Sequence, residues 1–129
     1  MILLDTNVLS ELMRSKPDPR VVQWLDSYPE HELWISSVTV AEIRLGLAHL
    51  PQGKRKDVLL GLAEQTFKED FFERCLPFDC DAAAYYGRIV AKRKQDGRPI
   101  SVEDAQIAAI ALTGGLTLAT RNVSDFSGI

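Results

Sequence analysis

Short, wholly apolar runs alternate along this chain with longer stretches whose apolar residues recur every three or four positions, and the two patterns predict different elements. Ile2 to Leu4 is apolar throughout and ends in Asp5, as expected of a central parallel strand whose end opens onto solvent. Val8 to Met13 predicts a short helix. Pro17-Asp18-Pro19 then breaks the chain and offers an N-cap with proline at the first helical position, after which Val21, Val22 and Leu25 line one face. Leu33 to Ser36 reads as a second strand. From Thr39 a helix follows, with Val40, Ile43, Leu47 and Leu50 at helical spacing until Pro51 stops it.

The second half repeats the alternation. A helix is predicted over Lys56 to Phe72 and a short strand over Cys75 to Phe78. Asp81 is placed to cap a helix that turns Ala83, Tyr86, Ile89 and Val90 inward and ends at Gly97. Ser101 begins another, whose run from Ile107 to Leu112 is too apolar for a surface helix and belongs against a sheet, with Gly114-Gly115 at its end. Leu116 to Ala119 is the last strand and leads into Thr120-Arg121-Asn122. The expected fold is therefore α/β: a three-layer sandwich with a central, mainly parallel sheet flanked by helices, in one domain spanning residues 1–129.

Composition narrows the class without changing that picture. An apolar fraction of 46% with 26% charged residues is that of an ordinary globular protein, and no apolar run approaches the length that spans a bilayer. Met1-Ile2-Leu3-Leu4-Asp5 meets a charge too early for a signal peptide, so the expected location is the cytoplasm, with no membrane partner. A net charge of −3 argues against gripping nucleic acid by bulk electrostatics, but bound metal ions can turn a mildly acidic site attractive to phosphate. Cys75 and Cys80 have no Cys or His at ligand spacing and read as reduced, partly buried side chains. Nothing points to zinc.

In open α/β sheets, ligands bind beyond the carboxyl ends of the strands, which draws attention to four scattered acids. Asp5 follows the first strand, Glu42 falls in the first turn of the helix after the second, Asp104 begins the helix leading to the last, and Asp125 follows that strand. Converged, they would form a set of hard oxygen ligands of the kind that binds Mg²⁺ or Mn²⁺. Each also has a plain structural explanation. Thr39-Val40-Ala41-Glu42 and Ser101-Val102-Glu103-Asp104 both fit a capping box, and Asp125 fits a solvated turn, whereas Asp5 at the end of a buried strand is costly unless something pairs with it.

Four motifs in order carry a resemblance to a known family. They are Met1 to Leu12 with Asp5-Thr6-Asn7; Ser37 to Gly46 with Thr39 and Glu42; Gly97-Arg98-Pro99-Ile100 with Asp104-Ala105 and Ile107-Ala108-Ala109; and Thr120-Arg121-Asn122-Val123-Ser124-Asp125-Phe126. Over essentially its whole length the chain resembles PIN-domain toxins of the VapC type, in the FitB-like branch. The resemblance implies a Mg²⁺-dependent (or Mn²⁺-dependent) endoribonuclease, the toxin of a type II toxin–antitoxin pair, that leaves a 5′-phosphate and a 3′-hydroxyl. It implies that Asp5, Glu42, Asp104 and Asp125 are the catalytic, metal-holding set, with Asn122 where other members often carry aspartate, and Thr6, Asn7, Thr120 and Asn122 as supporting polar residues. It further implies an RNA substrate, an antitoxin with a DNA-binding end, and a homodimer.

Two other classes compete with this reading. A phosphotransferase of the haloacid dehalogenase kind also begins with an apolar strand ending in aspartate, but needs a second aspartate where Asn7 stands. A binding-only subunit that holds a DNA-binding antitoxin for operator regulation would be expected to carry a damaged acidic set, and this one is intact. Among the remaining features, Lys54-Arg55-Lys56 and Lys92-Arg93-Lys94 with Arg98 read as solvated helix faces rather than RNA guides. His31 and His49 read as surface or interface residues, and Trp24, Trp34, Tyr85 and Tyr86 as core or interface packing.

Overall fold

Strand β1 (Ile2–Leu4) is the axis of a computed structural model that describes residues 1–129. Its side chains alternate across the sheet, and both directions are apolar because both faces are covered. Ile2 and Leu4 enter one core and Leu3 the other. β2 (Leu33–Ser36) pairs in parallel with one side of β1 and β4 (Thr117–Ala119) with the other, while β3 (Cys75–Leu76) pairs with β2. The order β3-β2-β1-β4 is wholly parallel. The chain thus builds outward from β1 in one direction and returns to add β4 on the opposite side, which makes the carboxyl ends of β1 and β4 a topological switch point.

Helices form the outer layers. Against one face lie α1 (Thr6–Leu12), α2 (Pro19–Asp26), α3 (Ser37–Ala48) and α4 (Lys54–Gln65), which contribute Val8, Leu9, Leu25, Ile43, Leu47 and Ala63 to the core around Ile2, Leu4 and Ile35. Against the other lie α5 (Cys80–Gln95) and α6 (Val102–Gly114), packed around Leu3. Five consecutive residues of α6, Ile107 to Ala111, are buried, as their unbroken apolar run predicts. A one-turn helix, α7 (Val123–Phe126), follows β4. The three-layer sandwich expected from the alternation of elements is the observed one, and no helix is long and apolar enough to cross a membrane.

Several boundaries differ from the sequence pattern, each for a local reason. α1 starts at Thr6 because Asp5 itself is its N-cap, accepting a 2.7 Å hydrogen bond from the Thr6 amide. α3 starts at Ser37, capped by Ser36 rather than Thr39, so Glu42 lies in the second turn and the capping-box explanation for it fails. Asp79, not Asp81, caps α5, which rotates Ala82 into the core and leaves Ala83 exposed. α4 ends at Gln65 and continues as a π turn, Thr66–Asp70, instead of running to Phe72. β3 stops at Leu76, and both cysteines are free and exposed rather than partly buried. Trp24 is exposed too, tilted against Tyr28 with ring centroids 4.9 Å apart.

Candidate functional site

Asp5 occupies the floor of the site, 2% exposed, at the junction where β1 becomes α1. Burial of a carboxylate demands hydrogen-bond donors, and both of its oxygens have one. Oδ1 accepts from the Thr6 amide at 2.7 Å and Oδ2 accepts from the Thr120 hydroxyl at 2.9 Å. The second bond spans the switch point, tying the end of β1 to the residue after β4. The Asp5 amide completes the junction by donating to the Ala119 carbonyl at 2.9 Å.

Glu42 reaches the same place from α3. Its Oε1 accepts a 2.7 Å hydrogen bond from the Thr6 hydroxyl, which also lies 2.9 Å from the hydroxyl of Thr39. Asp104 arrives from the first turn of α6, whose N-cap Ser101 accepts from the Asp104 amide at 3.1 Å. The backbone of Asp104 thus serves the cap while its half-buried carboxylate is left for the site. Asp125 sits on exposed α7 rather than in a loop. Arg93, a residue read as solvated, is instead buried and donates to the carbonyls of Asp125 and Arg98, fastening α7 against α5.

The carboxylates feel one another. Burial raises Asp5 above its ordinary range, Thr120 and the Thr6 amide oppose the rise, and the charge of Asp125 adds to it. Burial also raises Glu42, against the Thr6 hydrogen bond and with the charges of Glu103, Asp104 and Asp5 adding to the rise. Asp104 is raised by burial and by Asp5, Asp125 and Glu103, with the Ser101 hydroxyl acting in the opposite sense. Glu103, exposed beside Asp104 in the first turn of α6, adds its charge to this field, and on sequence alone it is one more polar residue in a helix's first turn. None of the molecule's ion pairs involves Asp5, Glu42, Asp104 or Asp125.

This arrangement is a field of uncompensated negative charge, not a closed cage. No three acidic, histidine or cysteine side chains stand as a preformed metal-binding group. The donor set nevertheless fits a hard divalent cation: it is all oxygen, partly desolvated and without a counter-charge. Of the supporting residues, Thr6 and Thr120 contact carboxylates directly. The Asn122 amide donates to Thr120 Oγ1 at 3.0 Å, whereas Asn7 is exposed with no side-chain hydrogen bond to the acids. Ser36 and Thr39, both wholly buried behind Thr6, are not legible as part of the site in the sequence, where Ser36 reads as the end of a strand and Thr39 as a helix cap.

Known proteins are similar to this chain in architecture and in sequence. Toxin FitB of Neisseria gonorrhoeae is 48% identical over 98% of this chain and 91% of its own length. VapC ribonuclease Y4jK of Sinorhizobium fredii is 42% identical over 98% of this chain and 90% of its own. A crystal structure of FitAcB from Neisseria gonorrhoeae superimposes with a TM-score of 0.90 at 48% identity, covering 98% of this chain and 91% of that one. DNA-bound VapBC from Salmonella typhimurium gives 0.79 at 27% identity, covering 99% and 91%. The PIN-domain sequence profile matches residues 2–127, and with the acidic switch point just described, the chain belongs to the PIN-domain family.

Proposed function

We propose that this protein is a divalent-metal-dependent endoribonuclease and the toxin of a type II toxin–antitoxin pair. The observation that carries the reading is the set of acids gathered without a counter-cation at the switch point, in a chain similar throughout to proteins named toxin and VapC ribonuclease. Asp5 and Asp104 would hold the principal ion, Mg²⁺ or Mn²⁺, with Glu42 and Asp125 as the further carboxylates of the set. When bound, such an ion neutralises the phosphodiester and acidifies water for attack.

The chain's own residues prepare the site. Thr120 and the Thr6 amide hold the two Asp5 oxygens in fixed directions, and the Thr6 hydroxyl does the same for one oxygen of Glu42. Hydrolysis forms one P–O bond from water and breaks the bond to the 3′ oxygen, which takes up a proton and leaves as a hydroxyl. Asn122 supports Thr120 through its backbone amide. The partner is an antitoxin with a DNA-binding end, consistent with similar proteins whose structures are FitAB bound to a DNA fragment and DNA-bound VapBC. A basic antitoxin side chain among the carboxylates would compete with the metal for the same charge. The functional unit is a homodimer.

The decisive experiment incubates the purified, antitoxin-free chain with RNA in Mg²⁺, in Mn²⁺ and in chelator, and sequences the new 5′ ends. Metal-dependent cleavage leaving 5′-phosphates is the expected result. No cleavage by a folded chain that still binds its antitoxin would favour the binding-only subunit.

A further inference from the structure

Thr39 and Ser36 are both fully buried at the start of α3, yet only Ser36 is needed to cap that helix. Ser36 Oγ accepts from the Thr39 amide at 3.1 Å, which leaves the Thr39 hydroxyl free of any capping duty. That hydroxyl lies 2.9 Å from the hydroxyl of Thr6, a residue 33 positions earlier in the chain.

The direction of this contact follows from counting protons. A carboxylate can only accept, so the single hydroxyl proton of Thr6 is committed to Glu42 Oε1. Toward Thr39 the Thr6 oxygen must therefore accept, and Thr39 must donate. The Thr39 oxygen in turn receives the Ser36 hydroxyl at 3.4 Å, a longer and weaker contact. Three hydroxyls thus point their protons one way, from the interior to Glu42.

From this directionality we infer that Thr39, backed by Ser36, is a positioning residue for the carboxylate site. By donating to Thr6 it removes the alternative rotamers and proton directions of that hydroxyl. Glu42 then has one oxygen pinned and the other presented, before any ligand binds. The inference rests on the metal-dependent reading of the carboxylates. Thr39 touches neither substrate nor metal and acts only through Thr6.

The test measures Mn²⁺ binding by calorimetry on the full chain. Thr39→Val fills the same volume without a hydroxyl, and Thr39→Ser keeps the hydroxyl. Removing a residue that orients a ligand weakens metal affinity about tenfold, so Thr39→Val is expected to bind Mn²⁺ about that much more weakly while Thr39→Ser binds as the parent does. In a Thr6→Val background the Thr39→Val change should add nothing, because its route to Glu42 is already cut. If Thr39→Val does not fold, Thr39→Ala against Thr39→Ser makes the same comparison, both lacking the methyl and differing only in the hydroxyl. Unchanged affinity in the hydroxyl-free variant, an equal loss in Thr39→Ser, or penalties that add in the double variant would each overturn the inference while the metal reading stands. A parent chain that binds no Mn²⁺ would overturn the metal reading and the inference together.

Discussion

The hydroxyl of Thr120 donates a 2.9 Å hydrogen bond to Asp5 Oδ2, joining residues 115 apart in the chain across the gap between β1 and β4. The bond stabilises the charged form of Asp5 in a position where burial disfavours it. Thr120→Val should therefore raise the Asp5 pKa further and move the acid limb of the pH–rate profile to higher pH. A hydrogen bond to a charged group contributes about 1.5–3 kcal/mol, so a loss of about tenfold or more in cleavage near neutral pH is expected. A pH–rate profile superimposable on the parent's would show that the bond has no catalytic weight.

Asp5→Asn should separate activity from stability. The amide keeps an oxygen for the Thr6 N–H but removes the charge proposed to hold metal, so cleavage should fall by about two to three orders of magnitude, the scale seen when an electrostatic stabiliser is lost. The metal-free variant should melt higher than the metal-free parent, because a buried, repelled charge has gone. Differential scanning calorimetry with chelator present reads the second effect. A variant that cleaves RNA at the parent's rate with its fold intact would refute the role given to Asp5.

Raised carboxylates also fix the sign of the pH dependence. Asp5, Glu42 and Asp104 bind protons more tightly in the folded chain than in the unfolded one, so the metal-free fold gains stability as pH falls through their raised values. Glu11, Asp18 and Glu64 behave oppositely, held low by hydrogen bonds from Arg14, Arg20 and Lys68 respectively, and their contribution is lost only at more acidic pH. Melting temperature without metal should accordingly pass through a maximum on the acid side of neutrality. Cleavage at subsaturating Mg²⁺ should decline over the same window as protons compete with metal. A flat activity profile over about pH 5 to 8 would contradict the shared cause.

Arg93→Met should loosen the corner that carries Asp125. The substitution keeps an apolar stem but withdraws the donors to the carbonyls of Asp125 and Arg98. Leaving such groups unpaired costs about 1–3 kcal/mol, measurable by urea denaturation. Hydrogen exchange should quicken in α7 more than in α6. Uniform quickening across both helices would mean that Arg93 supports the whole layer rather than this corner.

Local pattern was enough for the class of fold and for most of its elements, because strand and helix are written in the spacing of apolar residues. Ile2-Leu3-Leu4 could be read as a strand buried on two faces, and Ile107 to Leu112 as a helix against a sheet, with no knowledge of their neighbours. The acids Asp5, Glu42 and Asp104 were visible as candidates because each lies near the end of such an element. Cap positions were less legible: Ser36 displaced Thr39, and Asp79 displaced Asp81, since adjacent polar residues compete for the same amides and packing chooses between them. The parts that no window of sequence contains are the long-range ones. That Thr120 meets Asp5, that Thr39 stands behind Thr6 and so behind Glu42, that Glu103 joins the charged field, and that Arg93 turns inward to hold α7 all follow from the crossing order β3-β2-β1-β4 and from burial. Spacing along the chain can say which residues share a face of one element, but hydrogen-bond direction and desolvation exist only once separate elements are packed together.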